Sequence, residues 1–250
     1  MVRLRGKLRV VLHQVRSPDN LGAVLRLMRN FGFSELVLSD PATREFHAAA
    51  RLARRGVDLL EGMKVDTSLD AALGPCVYAC GTTSREAVER RATVEPEEAV
   101  ARLLRHVERG PVALVFGGEK RGLSDEELSR CQDICVIPTE PAPQPSMNLA
   151  QAAAVMLYLC SRAGGPARGE GAVAEGARLQ TVQALEARME QVLRAATFLN
   201  PQAPAYVLEE LLQSLHRGAP TQREVELWLG AFKALGRGIP GADAKKPPAG

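Results

Sequence analysis

Two hydrophobic rhythms alternate along the first 160 positions. Short apolar runs, LRVVLHQV (8–15), ELVLSD (35–40), CVYACGTT (76–83), PVALVFGG (111–118) and DICVIPT (133–139), read as strands. Between them apolar residues recur every three or four positions. These segments predict helices over 20–31, REFHAAARLA (44–53), VDTSLDAAL (65–73, short), PEEAVARLLRHV (96–107), SDEELSRC (124–131) and NLAQAAAVMLYLCSR (148–162). Strands apolar on both faces and separated by helices predict an α/β fold, a parallel sheet with helices on both faces. In such sheets ligands sit at the carboxyl ends of the strands.

The rhythm then changes. SRAGGPARGEGAVAEGA (161–177) has no periodicity and reads as a flexible linker. Three amphipathic patterns follow: Val182, Leu185, Met189, Val192, Ala196 and Leu199; then Val207, Leu208, Leu211, Leu212 and Leu215; then Val225, Trp228, Leu229, Phe232 and Leu235. The expected organisation is an α/β domain over 1–162, a linker over 163–176, a helical module over 177–236 and a disordered tail over 237–250.

Composition narrows the class. At 46% hydrophobic and 24% charged residues the chain is an ordinary globular protein, and no run reaches the length of a membrane span. The N-terminus lacks a signal-peptide core, so the expected location is the cytoplasm. The net charge of +3 is uneven: residues 1–60 carry 11 basic against 5 acidic groups, and residues 61–160 carry 10 against 15. A basic first segment suits a polyanion such as RNA. Cys76, Cys80, Cys131, Cys135 and Cys160 lack the CxxC spacing of zinc or redox sites and read as small core hydrophobes. His13, His47, His106 and His216 are scattered, so no metal is expected.

Three segments carry candidate chemistry. In SPDNLGAVLRLMRNFG (17–32) a helical wheel gathers Leu21, Val24, Leu25, Met28 and Phe31 on one side and Gly22, Ala23, Arg26, Arg29 and Asn30 on the other. Pro18-Asp19-Asn20 is expected to supply the turn and cap. A helical Gly costs about 1 kcal/mol relative to Ala, so Gly22 predicts a close approach of another group. In LVFGGEKRGLSDEEL (114–128) a buried strand ends on Gly117-Gly118 and Glu119, where backbone could approach a ligand. In VIPTEPAPQPSMNLAQAAAVMLYL (136–159), Pro138, Pro141, Pro143 and Pro145 stiffen a loop whose carbonyls lack local donors, and Ser146 or Asn148 then caps a strongly apolar helix. Taken singly, each also reads as ordinary packing, a surface charge or a connector.

Taken together, N-x-G-x-x-x-R with NFG after it, then FGGExxGLS, then IP…SMNLA resemble the three motifs of the SPOUT methyltransferases, in the TrmH/SpoU branch, over residues 8–160. EQVLRAATFLNPQAPAYVLEELLQSLHRGAPTQREVELWLGAFKAL (190–235) is similar to the helical extension of the TrmJ-like tRNA 2′-O-methyltransferases. The last helix departs from that pattern, with Trp228-Leu229-Gly230 where Arg-Gly is expected after the Leu.

The resemblance implies a sheet with a C-terminal trefoil knot, S-adenosylmethionine as cofactor, and a homodimer with the 17–32 helix at its interface. The dimer contact would give Gly22 its packing reason and place Arg26 near the partner's cofactor. The cofactor pocket is expected from Thr82, Thr83, Ser84, Phe116, Gly117, Gly118, Ile137, Pro138, Ser146, Met147 and Asn148. The catalytic set is expected to be Arg26, Asn20, Glu119, Ser146 and Asn148, with Glu119 ordering Arg26 or the loop. RNA contacts are expected from Arg16, Arg26, Arg29, Arg217 and Arg223, through shape and phosphate because aromatic residues are only 4% of the chain. The implied activity is ribose 2′-O-methylation of tRNA at anticodon-loop position 32, a cytidine or uridine. The alternatives are an rRNA ribose 2′-O-methyltransferase and a catalytically silent RNA-binding protein of the same fold.

Overall fold

A computed structural model describes residues 4–84, 91–140, 146–163, 175–199, 206–218, 220–240 and 242. The chain divides into two compact units, residues 1–173 and 174–250. In the first, strands β1 (Leu8–His13), β2 (Glu35–Ser39), β3 (Lys64–Asp66), β4 (Tyr78–Thr83), β5 (Thr93–Val94), β6 (Val112–Phe116) and β7 (Asp133–Val136) form one sheet in the order β3-β2-β1-β6-β4-β7-β5. All the pairings are parallel. The central strands β1 and β6 are buried along their whole length, as a sheet covered on both faces requires.

The covering helices are α1 (Pro18–Phe31), α2 (Phe46–Ala53), α3 (Asp58–Gly62), α4 (Leu69–Leu73), α5 (Pro96–His106), α6 (Asp125–Ser129) and α7 (Leu149–Ala163). The expected α/β alternation is present, with local differences. The pattern at 65–73 divides into β3 and α4, and β5 was not expected at all. β3 presents Lys64 and Val65 to solvent and β5 is two residues long, so neither carries an apolar run. Both owe their strand geometry to the neighbour they pair with. The short 3₁₀ turn Arg54–Gly56 and α3 were likewise unmarked.

Helix α1 corrects two expectations. Its cap is Ser17, whose Oγ accepts from Asn20 N at 3.2 Å, with Pro18 in the first turn. Asn20 lies inside the helix. Gly22 falls on the buried side, and its close approach is within the chain: a Cβ there would stand 2.3 Å from the Ala49 carbonyl oxygen of α2. A two-sided helical wheel leaves Gly22 on the open face, whereas α1 is covered by α2, by the Arg54–Gly56 turn and by α7. Gly32, at φ 80°, ends the helix in the left-handed conformation.

All five cysteines are free and buried, as small core hydrophobes are. Burial pushes the thiols of Cys76, Cys131, Cys135 and Cys160 up to about 12. At the amino ends of β4 and β7, Tyr78 stacks on His106 with ring centroids 4.3 Å apart, and its hydroxyl donates to Asp133.

The second unit contains α8 (Leu179–Ala195), α9 (Tyr206–Arg217) and α10 (Gln222–Gly236), matching the three amphipathic patterns. Val182, Leu185 and Val225 join α8 to α10, with Met189, Leu215, Leu229 and Phe232 packed against them. Thr221 and Glu224 form a capping box on α10, and His216 of α9 pairs with Glu186 of α8. Most of the expected linker (164–174) and of the expected tail (243–250) lies outside the described residues.

Candidate active site

The carboxyl ends of β4, β6 and β7 bring together residues distant in sequence. Strand β4 ends on Thr82 and Thr83, and β6 ends on Phe116, followed by Gly117, Gly118 and Glu119. The loop after β6 folds back on itself: Gly118 pairs with Gly122, whose N–H donates to the Gly118 carbonyl at 2.9 Å. This fold depends on missing side chains. A Cβ on Gly117 would lie 2.2 Å from the Gly122 carbonyl carbon, and one on Gly118 would lie 2.4 Å from the Gln14 carbonyl oxygen. Gly122 itself has φ 67°, where a glycine avoids strain.

Between these strand ends lies a cavity of about 270 Å³. Phe116, Ile137, Leu149 and Ala152 give it apolar walls, and Thr82, Thr83, Ser84 and Ser146 add hydroxyls at its edge. Apolar walls with a few placed polar groups are the character of a small-molecule site, and the volume falls just short of the range of such sites, which begins at about 300 Å³.

A hydrogen-bond bridge stands beside the cavity. Glu119 Oε1 accepts from Ser17 N at 3.0 Å and from Asn20 Nδ2 at 2.9 Å, and its Oε2 accepts from Arg16 N at 2.9 Å. Asn20 Oδ1 accepts in turn from Asn148 Nδ2 at 2.9 Å. Asn148 Oδ1 caps α7 by accepting from Ala150 N at 2.8 Å. One residue from each of the three segments is thus joined in a line. Partial burial pushes the Glu119 carboxyl up, but hydrogen bonds from Asn20 and from the backbone N–H groups of Glu119, Ser17 and Arg16 outweigh it and hold the group below its usual value.

Of the expected cofactor residues, Thr82, Thr83, Ser84, Phe116, Gly117, Gly118, Ile137, Ser146 and Met147 line the cavity. Pro138 lines an adjoining recess with Thr93, Val94 and Glu95, and Asn148 faces Asn20 instead. Pro141, Pro143 and Pro145 fall outside the described residues. Among the expected catalytic residues, Asn20, Glu119 and Asn148 form the bridge and Ser146 lines the cavity. Arg26 is exposed on α1 and has no hydrogen bond or ion pair among the described residues, so Glu119 orders Asn20 and the loop before α1 rather than Arg26. Arg16 is exposed, and Arg29 pairs with Asp58 at 3.3 Å. Arg217 and Arg223 are exposed in the second unit.

The cavity wall also contains Lys120, Arg121, Thr139, Leu149 and Ala152, which are not among the residues expected from the sequence. Their signal was position: Lys120 and Arg121 fill the two variable places of the ExxG stretch. Among the described residues no cluster of three or more His, Cys, Asp or Glu side chains could hold a metal ion, and no helix is long and apolar enough to cross a membrane.

Comparison with known proteins decides the family. The profile of the SpoU rRNA methylase family matches residues 7–158, all but a few residues of the α/β region. The chain belongs to the SpoU rRNA methylase family. Within it, the chain is 34% identical over 236 residues to the tRNA (cytidine/uridine/adenosine-2′-O-)-methyltransferase TrmJ of Pseudomonas aeruginosa, covering 90% of this chain and 91% of that one. It is 30% identical to the tRNA (cytidine/uridine-2′-O-)-methyltransferase TrmJ of Klebsiella pneumoniae, covering 91% and 96%. The crystal structure of TrmJ from Z. mobilis ZM4 superposes with a TM-score of 0.77 at 23% identity, covering 91% of this chain and 98% of that one, which shows a shared fold. The chain is therefore a SpoU methylase of the SPOUT α/β class with a C-terminal helical extension. Residues 141–145 lie outside the described residues.

Proposed function

We propose that this SpoU-family methylase is an S-adenosylmethionine-dependent tRNA ribose 2′-O-methyltransferase acting on a cytidine or uridine at anticodon-loop position 32. The observation that carries this reading is the Glu119–Asn20–Asn148 bridge set beside the cavity at the carboxyl ends of β4, β6 and β7. Its support is the similarity over nine-tenths of the chain, helical extension included, to relatives named for tRNA 2′-O-methylation.

The cavity fits the cofactor by its donor set. Its apolar walls suit an adenine face, and its hydroxyls and glycine-lined backbone suit a ribose and polar edges. When bound, S-adenosylmethionine supplies an electrophilic sulfonium methyl group. This chain's residues supply orientation and charge. Asn20 is held rigid at both ends of its amide, which leaves it fixed to orient the target hydroxyl. A guanidinium stays protonated, so Arg26 acts by holding the phosphate beside the target ribose and stabilising negative charge as the 2′-hydroxyl loses its proton.

Arg26 lies six residues beyond Asn20, about 9 Å along the helix, and does not line the cavity of its own chain. This favours a homodimer in which a second copy contributes Arg26. Exposed Arg16, Arg217 and Arg223 would add phosphate contacts. A tRNA substrate also puts the enzyme in the cytoplasm.

The test is transfer of labelled methyl groups to separate pools of unmodified tRNA and rRNA. Label in tRNA is expected. Label only in rRNA would replace this reading with an rRNA methyltransferase, and cofactor binding without transfer to either pool would favour a silent RNA-binding protein.

A further inference from the structure

The strand ends of β1 and β2 hold an unusual amount of buried polarity. His13 and Ser39 are paired by register and are 5% and 0% exposed. The His13 ring bridges two groups: Nδ1 meets Ser39 Oγ at 3.0 Å and Nε2 meets Glu127 Oε1 at 3.0 Å. A carboxylate only accepts, so Nε2 carries the proton of that bond. Glu127 is fully engaged. Its Oε2 accepts from Ser124 N at 2.7 Å in the α6 capping box, and its Oε1 also accepts from Arg121 Nη2 at 2.6 Å. The same Arg121 nitrogen donates to Gln14 Oε1 at 3.0 Å, and Gln14 Nε2 donates to Asp40 Oδ2 at 2.9 Å.

The backbone beneath this network is strained. Gln14 and Asp40 follow paired strand ends and both have left-handed φ, 55° and 44°. Non-glycine residues in that region persist where surrounding structure demands them, commonly at functional sites. The Gln14 carbonyl is also the group that excludes a Cβ from Gly118. Gln14 therefore touches the cavity loop twice, by its backbone at Gly118 and by its side chain at Arg121.

We infer that Arg121 is a positioning residue for the cofactor cavity: anchored by Gln14 and by the Glu127–His13–Ser39 relay, it holds the Gly117–Gly122 loop in its cavity-lining form. An isolated surface ion pair would count for little. This one differs because its carboxylate is only 16% exposed and rests on a buried histidine. Glu119 ties the loop to the segment before α1 and the Gly118–Gly122 bridge closes it, while Arg121 is the side chain that ties it to Gln14 and Glu127. The inference rests on reading the cavity as the S-adenosylmethionine site.

The experiment is titration calorimetry of the full-length protein with S-adenosylhomocysteine as probe, together with KM and kcat for S-adenosylmethionine. Wild type is compared with Arg121→Met, Arg121→Lys, Gln14→Leu and the Arg121→Met/Gln14→Leu double variant, each with its unfolding temperature. Arg121→Met is expected to weaken probe binding about tenfold and to raise the cofactor KM more than it lowers kcat, and the double variant should be no worse, because the two side chains act as one unit. Arg121→Lys should recover part of the affinity, keeping the charge without the planar fork. Arg121→Met binding within about twofold of wild type, a lowered unfolding temperature with unchanged binding, or additive effects in the double variant would each overturn the inference. Failure of the wild type to bind the probe would instead overturn the reading of the cavity itself.

Discussion

Glu119 meets the loop before α1 with both carboxylate oxygens, and a neutral amide cannot do the same. In Glu119→Gln one oxygen becomes an NH₂ group facing backbone N–H donors, so Asn20 loses its fixed orientation. We expect kcat to fall at least about tenfold with a small change in unfolding temperature, read from single-turnover transfer and a thermal melt. Asn148→Ala removes both the α7 cap and the second anchor of Asn20, so it should lose activity and also about 1 kcal/mol of stability, measured by denaturant titration. His106 makes a pH prediction. Burial first, then the charges of Arg109 and Arg105, lower it to about 4 from 6.5. Between these values the unfolded chain binds a proton that the folded chain does not, so stability falls as pH drops from 6.5 toward 4. His106→Phe keeps a ring against Tyr78 and cannot titrate, and its melting temperature should depend less on pH in that window.

Among the elements, helix glycines make the sharpest contrast. Gly22→Ala gains helix propensity but drives a Cβ to 2.3 Å from the Ala49 carbonyl oxygen, and overpacking of this kind costs about 1–3 kcal/mol. A Cβ at Gly230 of α10 would meet nothing within 4 Å, so Gly230→Ala should stabilise its unit by up to about 1 kcal/mol. Opposite signs in denaturant melts are the expected result. Gly22 also marks how far a sequence carries. The pattern of α1 was legible, and so was the need for a close approach at Gly22. Which neighbour would approach was not, because α2 is placed by tertiary packing that no local period records. The edge strands β3 and β5 were illegible for a similar reason: their residues are ordinary, and only pairing makes them strands. The site was legible where backbone chemistry forces residue type, as at Gly117, Gly118 and the Asn148 cap. It was illegible at Gln14, His13 and Arg121, whose roles depend on side chains meeting across strand ends.

In the whole molecule, the first unit encloses the cysteines and the second adds a small helical module. Buried thiols raised to about 12 should resist a disulfide reagent in the native protein and react together on unfolding. A native thiol reacting at the rate of a free cysteine would place it at the surface instead. The α/β unit, with the bridge beside its cavity, is the part of the molecule that would methylate tRNA. The most direct test is mass spectrometry of the nucleosides and alkali-resistant dinucleotides released from tRNA after reaction with S-adenosylmethionine, for wild type and for Arg26→Ala. A 2′-O-methylated pyrimidine in the anticodon loop, lost in Arg26→Ala, is the predicted result. A methyl group on a base rather than a ribose, or an Arg26→Ala product equal to wild type, would contradict the account.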